Sequence, residues 1–201
     1  MQTLHFPMAL REKSQLMDAS EIERTLVHLA HEVVEKSQHL ENLALIGIRR
    51  RGVPLATRLA QKIRGLTSQD VPVGTLDIRL YRDDLSQLDS KPVVGATQIA
   101  FPVTGKDIVL VDDVLYTGRT ARAAMDALFD HGRPRRVRVC VLIDRGHREL
   151  PIEAAFVGKR IPTDAGELVE VRLREEDGTE KVLIFERADS ETGSVVSGQP
   201  G

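Results

Sequence analysis

The sequence predicts an α/β fold with a parallel sheet, and three observations predict it. Apolar runs of strand length alternate with segments of helical spacing along most of the chain. The runs LALIGI (43–48) and IVLV (108–111) carry no polar side chain, as strands covered on both faces require. IVLV then runs straight into Asp112 and Asp113, a Thr/Gly segment and a helical pattern, and open parallel sheets bind ligands just beyond such strand ends.

Taken in order, residues 1–17 show no clear period. Asp18 followed by Glu21 is a capping-box signature, and Ile22, Leu26, Leu29, Ala30 and Val33 keep helical spacing behind it to about Lys36. LALIGI is the next strand. RRRG follows, and then Val53, Leu55, Ala56, Leu59, Ala60 and Ile63 mark an amphipathic helix, with Pro54 in its first turn and Gly65 at its end. TLDIRLY (75–81) alternates as a half-exposed strand does. Residues 82–96 are polar and aperiodic, which predicts a mobile, functional loop, with TQIAF (97–101) as the strand returning from it. DIVLVDD (107–113) leads into a helix whose inward face is Ala121, Ala124, Met125 and Leu128, stopped by Gly132 and Pro134. RVRVCVLID (136–144) and AAFVG (154–158) are further strands. Val169, Val171 and Leu173 alternate, Asp177-Gly178 supplies a tight turn and KVLIF (181–185) returns, a hairpin.

Composition narrows the function classes. A chain of 201 residues can bury a sizeable core. We take 1–188 as a single domain and expect the Ser/Gly-rich tail, 189–201, to be disordered. A formal net charge of −2 gives no nucleic-acid signature for the molecule as a whole, although arginine is clustered. Cys140 is the one cysteine, which excludes an intrachain disulfide and a cysteine-built zinc site; in its apolar run it reads as an inert buried thiol. No apolar stretch reaches the length of a membrane span, and none follows Arg11 and Lys13 as in a secretory signal. A cytoplasmic protein is expected.

The chemistry concentrates in VDDVLYTGRT. Thr117, Gly118, Arg119 and Thr120 sit where a helix begins, and a helix N-terminus offers free N–H groups and partial positive charge to a phosphate. Gly118 lets the backbone approach closely, and two Thr hydroxyls add donors. Asp112 and Asp113 repel that phosphate, so they suit hydroxyl donors or a divalent metal a few ångströms away. A ribose 5-phosphate has both parts. Elsewhere a Gly/Thr turn is usually only a cap. An acidic pair at a strand end also holds magnesium in phosphate-accepting receiver domains, where it lies near the start rather than past the middle.

The segment VLVDDVLYTGRTARAAMDAL resembles the phosphoribosyl-pyrophosphate (PRPP) motif of type I phosphoribosyltransferases. ALIGIRRRGVPLATRLA, LDIRLYRDDLS and VLIDRGHRELPIEAAFVGKRIPT agree in order, and YRDDLS and DRGHRELPI narrow the resemblance to the PyrR family, pyrimidine-operon regulators that are also uracil phosphoribosyltransferases. The similarity runs from about residue 20 to 186. It implies a type I phosphoribosyltransferase-like parallel sheet flanked by helices, with a flexible loop and a small hood. It also implies that uracil and PRPP give UMP and pyrophosphate, with Mg²⁺ accompanying PRPP. Asp112 and Asp113 would hold the ribose diol, and Thr117 to Thr120 the 5-phosphate. Arg49, Arg50, Arg51 and Gly52 would form the pyrophosphate loop, whose arginines are the donors a diphosphate needs. Tyr81 and Arg82 would lie on a loop that closes over the site, with Arg82 among the catalytic candidates, and the base would lie near Asp144, Arg145, Val157 and Gly158.

The resemblance further implies UMP-dependent binding to the leader of pyrimidine-biosynthesis RNA and a homodimer or higher homo-oligomer. The RNA candidates are His31, Arg138, His147, Arg148 and Lys159, within a basic concentration that Glu149 and Glu153 interrupt. Aromatics are 3% of residues, so RNA would be held through phosphates and shape rather than by stacking. Two other functions fit the same motif: a regulator using the pocket only as a nucleotide sensor, and a purine-salvage phosphoribosyltransferase.

Overall fold

The chain runs β1 (Leu10–Asp18), α1 (Ala19–Glu35), β2 (Leu43–Ile48), α2 (Gly52–Thr67), β3 (Val73–Leu76), β4 (Asp107–Leu115), α3 (Arg119–Phe129), β5 (Arg136–Asp144), β6 (Phe156–Arg160), β7 (Leu168–Arg172), a one-turn helix α4 (Arg174–Asp177) and β8 (Lys181–Arg187). The computed structural model describes residues 10–81 and 97–187. The mobile loop expected over 82–96, with Arg82, and the tail over 189–201 fall outside the described residues.

Five strands form a parallel sheet in the order β3-β2-β4-β5-β6. Strand alternation divides its side chains between two cores. Leu43 and Leu45 of β2 and Val109 and Val111 of β4 pack under α1 and α2, with Ile22, Leu26, Leu55 and Leu59. Ala44, Ile46 and Ile48, with Ile108 and Leu110, pack under α3 against Ala124, Ala127 and Leu128. Both faces are covered, which is why these strands read as unbroken apolar runs. A second, antiparallel sheet of order β1-β8-β7 forms the hood.

The α1 capping box forms as expected: the Glu21 N–H donates to Asp18 Oδ1 at 2.7 Å, and the Asp18 N–H donates to Glu21 Oε2 at 2.9 Å. Several boundaries differ from expectation. Residues 10–18 form a hood strand, β1, whose alternation is hidden by irregular register against β8 and by a face on which Met17 is the buried residue. Gly65 does not end α2, which continues to Thr67; Ser68, at φ 58°, takes the left-handed cap and donates to Arg64 O at 2.8 Å. β3 stops at Leu76 rather than Tyr81, because the Asp77 carboxylate accepts the Arg79 N–H at 3.0 Å and turns the chain into a short 3₁₀ segment. Of TQIAF, Gln98 alone bridges, to Thr75. β6 begins at Phe156, two residues later than expected. Asp177-Gly178 closes a helical turn rather than a two-residue hairpin loop.

Candidate active site

The site assembles at the carboxyl ends of β2, β4 and β5. Alternation along β4 sends its two carboxylates to opposite faces. Asp112 lines a cavity of about 240 Å³ on the α3 side, together with Ile48, Val141, Thr117, Gly118 and Thr120. Asp113 lies on the α2 side, where it feels the Arg51 charge. The Asp112 carboxylate accepts the Asp113 N–H at 3.0 Å, and the Asp113 carboxylate accepts the Val114 N–H at 2.9 Å. Desolvation pushes the Asp113 carboxyl up from its ordinary range, while the Val114 N–H and Arg51 pull it down.

The cavity floor is the start of α3. Gly118 precedes the helix at φ 92°, a left-handed backbone that favours glycine, while a Cβ there would make only ordinary 3.4 Å contact with the side chains of Leu150 and Ile152. Gly118 supplies no side-chain cap, and the Arg119 N–H donates to the Thr117 hydroxyl at 3.4 Å. The Thr117 carbonyl accepts the N–H groups of Glu149 and Leu150 at 2.9 and 3.1 Å, which fixes the turn from outside. Arg119 does not project into the cavity alone: its Nε donates to Glu149 at 2.8 Å.

The turn from β2 to α2 faces this cavity's rim. It is pressed into the sheet: a Cβ on Gly52 would meet Val111 O at 2.2 Å, and one on Gly47 would meet Gly52 O at 2.5 Å. The Arg49–Arg50 peptide is cis. Arg49 and Arg50 are exposed. Arg51, expected among the diphosphate donors, is engaged within the chain: its Nε and Nη2 donate to Asp177 at 3.0 and 2.8 Å.

The expected base region splits. Asp144 and Arg145 are buried at the end of β5. Asp144 pairs with Arg148 at 2.6 Å. Arg145 donates to Thr163 Oγ1 at 3.2 Å and Glu167 O at 2.7 Å, and its guanidinium lies 4.1 Å from the Tyr116 ring centre. Val157 instead packs in the layer with Ile152 and Ala154. Gly158 lies under α1, where a Cβ would be 2.5 Å from Thr25 Cγ2. Neither lines the cavity, because β6 reaches the site level only near its end. Tyr116, Glu149 and Thr163 were not anticipated. Tyr116 had a readable signal, one of the few aromatics in the chain placed between the acidic strand end and Thr117.

Tyr81 lies away from the cavity in this arrangement. Its hydroxyl bonds to Asp130 beyond the far end of α3, about 16 Å along an 11-residue helix from Gly118. The RNA candidates also separate. His147 and Arg148 belong to the site end: His147 Nε2 lies 2.5 Å from Thr163 O, and Arg148 donates to Tyr116 O and Ile152 O at 2.7 and 2.9 Å. Arg138 sits roughly 20 Å back along β5, folded over the Phe156 ring and bonded to Lys36 O at 3.0 Å. His31 is exposed on α1, and Lys159 borders an open cleft with Glu21, Arg24 and His28.

Among the described residues no group of three or more His, Cys, Asp or Glu could hold a metal, and no helix is long and apolar enough to cross a membrane. The family described as "Phosphoribosyl transferase domain" matches residues 12–176. The "Bifunctional protein PyrR" of Pelotomaculum thermopropionicum is 57% identical over 179 residues, covering 89% of this chain and 99% of the relative. That of Acetivibrio thermocellus is 59% identical over 173 residues, covering 86% and 94%. A hypoxanthine-guanine phosphoribosyltransferase of Bacillus anthracis superposes with a TM-score of 0.64 at 18% identity, covering 88% of this chain and 99% of that one. The hypoxanthine phosphoribosyltransferase of Trypanosoma cruzi gives 0.65 at 15%, covering 88% and 98%. At such identities the likeness is one of fold.

Proposed function

The chain belongs to the phosphoribosyl transferase domain family and, within it, to the bifunctional PyrR proteins, and from that premise we propose that it joins uracil to the ribose of PRPP, releasing pyrophosphate and forming UMP. The observation that carries the reading is the start of α3, where Gly118 offers no capping side chain, opening into a cavity with Asp112 on its wall. The 5-phosphate takes the helix N–H groups and the Thr117 and Thr120 hydroxyls. Asp112 and Asp113, reaching the ring from two sides, hold the diol and stabilise positive charge as the glycosidic centre becomes oxocarbenium-like. Arg49 and Arg50 stand on the turn where the diphosphate departs. Uracil fits against Tyr116, with the polar groups around Arg145 and Thr163 reading its edges.

Two carboxylates suit magnesium that arrives with PRPP, held mainly by the substrate's oxygens rather than by a protein cage. Bound there, the ion supplies neutralisation of the leaving diphosphate. The protein's own contribution is orientation and charge placement, with no covalent intermediate.

The regulatory half places UMP in the same cavity and leader RNA on α1. Arg24, His28 and His31 are exposed at helical neighbour spacing, and Lys159 lies beside them. This face replaces the mixed set of RNA candidates, of which His147 and Arg148 lie at the site end. A cytoplasmic homo-oligomer completes the reading. Pyrophosphate release measured with uracil, hypoxanthine, guanine and orotate tests it. Release with uracil is expected. Release with a purine alone would make the chain a purine-salvage enzyme, and UMP binding without turnover of any base would make it a sensor.

A further inference from the structure

The one-turn helix α4 carries three consecutive acids, and each faces an arginine of the β2–α2 turn or of α2. Asp177 takes Arg51 bidentately, at 3.0 and 2.8 Å. Glu175 takes Arg58 at 2.8 and 2.6 Å. Glu176 lies 3.8 Å from Arg50. Arg58 also bonds Glu180, just before β8. The hood is thereby tied to the segment that presents Arg49 and Arg50.

Asp177 is the best held of the three. Its Oδ2 also accepts the Leu173 N–H at 2.9 Å, and its side chain is 14% exposed against 23% for Arg51. The turn therefore has two kinds of support. On the inside, Gly47 and Gly52 allow backbone to press on backbone. On the outside, the Asp177 carboxylate holds the planar fork of Arg51, a geometry that a single-point charge cannot reproduce.

Resting on the function proposed above, we infer that Asp177 is a positioning residue: by holding Arg51 it sets the turn that receives the departing diphosphate. Its effect falls on the diphosphate half of the site. The 5-phosphate seat at α3 is held separately, by Gly118 and by the Thr117 carbonyl. A purely structural ion pair would weaken both halves alike.

The test measures magnesium pyrophosphate and UMP affinities by calorimetry, with PRPP and uracil kinetics in parallel. Asp177→Asn is expected to weaken pyrophosphate at least fivefold, to raise KM for PRPP by a similar factor, and to leave UMP affinity and KM for uracil within twofold. Arg51→Lys, which keeps the charge and loses the fork, is expected to behave the same way, and it keeps the test alive if Asp177→Asn does not fold. Adding Asp177→Asn to Arg51→Lys is expected to change pyrophosphate affinity by less than twofold, because both act through one contact. Equal weakening of UMP and pyrophosphate, unchanged pyrophosphate binding, or tighter pyrophosphate binding would each overturn the inference while leaving the transferase reading intact. Wild-type protein that binds neither ligand would overturn the transferase reading itself, and the inference with it.

Discussion

At the scale of single residues, the two aspartates that read as one motif are two different groups. Asp112 looks into the α3 cavity, and Asp113 looks toward Arg51 across the sheet. Asp113→Asn preserves shape and removes a charge that the surroundings already disfavour, so the fold is expected to survive it. The kcat/KM for UMP formation is expected to fall at least tenfold, about 1.4 kcal/mol of transition-state stabilisation; steady-state kinetics beside thermal unfolding would check both halves. Near-wild-type kinetics would remove Asp113 from the mechanism. The opposite directions of these side chains were legible, since residues one apart on a strand always diverge. The different fates of Arg49, Arg50 and Arg51 were not. Three identical neighbours carry no local mark of which will meet Asp177, 126 residues away.

At the scale of elements, α1 and α3 handle the same problem in opposite ways. Every helix leaves N–H groups unpaired at its start. In α1, Asp18 and Glu21 satisfy them reciprocally. In α3 a left-handed Gly118 gives no side-chain cap, and a ligand phosphate is the natural partner. Asp18→Ala is therefore expected to lower unfolding free energy by about 1 kcal/mol and to leave UMP affinity unchanged, measurable by denaturant unfolding and calorimetry. A loss of UMP affinity would mean that α1 shapes the site. The central elements were readable because β2, β4 and β5 are buried on two faces and so carry unmistakable apolar runs. Failures gathered where tertiary contact decides. β1 shows almost no apolar face of its own and forms because β8 offers it an edge. Gly65 weakens a helix without ending it. Asp177-Gly178 carries a turn signature, yet it sits at the end of α4, whose acids meet arginines from α2 and the turn before it.

At the scale of the whole molecule, a chain of net charge −2 can still gather basic side chains locally: α4 pairs its carboxylates with arginines of the active-site side, while Arg24, His28 and Lys159 share a cleft in which Glu21 is the one acid. The stripe of Arg24, His28 and His31 on α1, with Lys159, lies apart from that network. It is joined to the site through the sheet, since Gly158 presses under Thr25 of α1 while β5, beside it, ends at Asp144 and Arg145. If UMP tightens RNA binding, it must bind the RNA-competent state better, because a ligand without differential affinity shifts nothing. Reciprocity then requires RNA to tighten UMP by the same factor. Titration of a labelled pyrimidine-leader RNA with and without UMP, at two salt concentrations, is expected to show tighter binding with UMP and weaker binding at higher salt, as phosphate contacts release counterions. His28→Ala/His31→Ala is expected to weaken RNA at least fivefold and to leave UMP affinity, measured without RNA, unchanged. His147→Ala is expected to do the reverse, since that ring packs edge-on at 5.9 Å from Tyr116 beside the cavity. RNA binding that ignored UMP would leave a transferase with an independent RNA surface. RNA binding lost with His147 and kept without the two α1 histidines would move the RNA face from α1 to the mouth of the active site, where RNA and UMP would compete rather than cooperate.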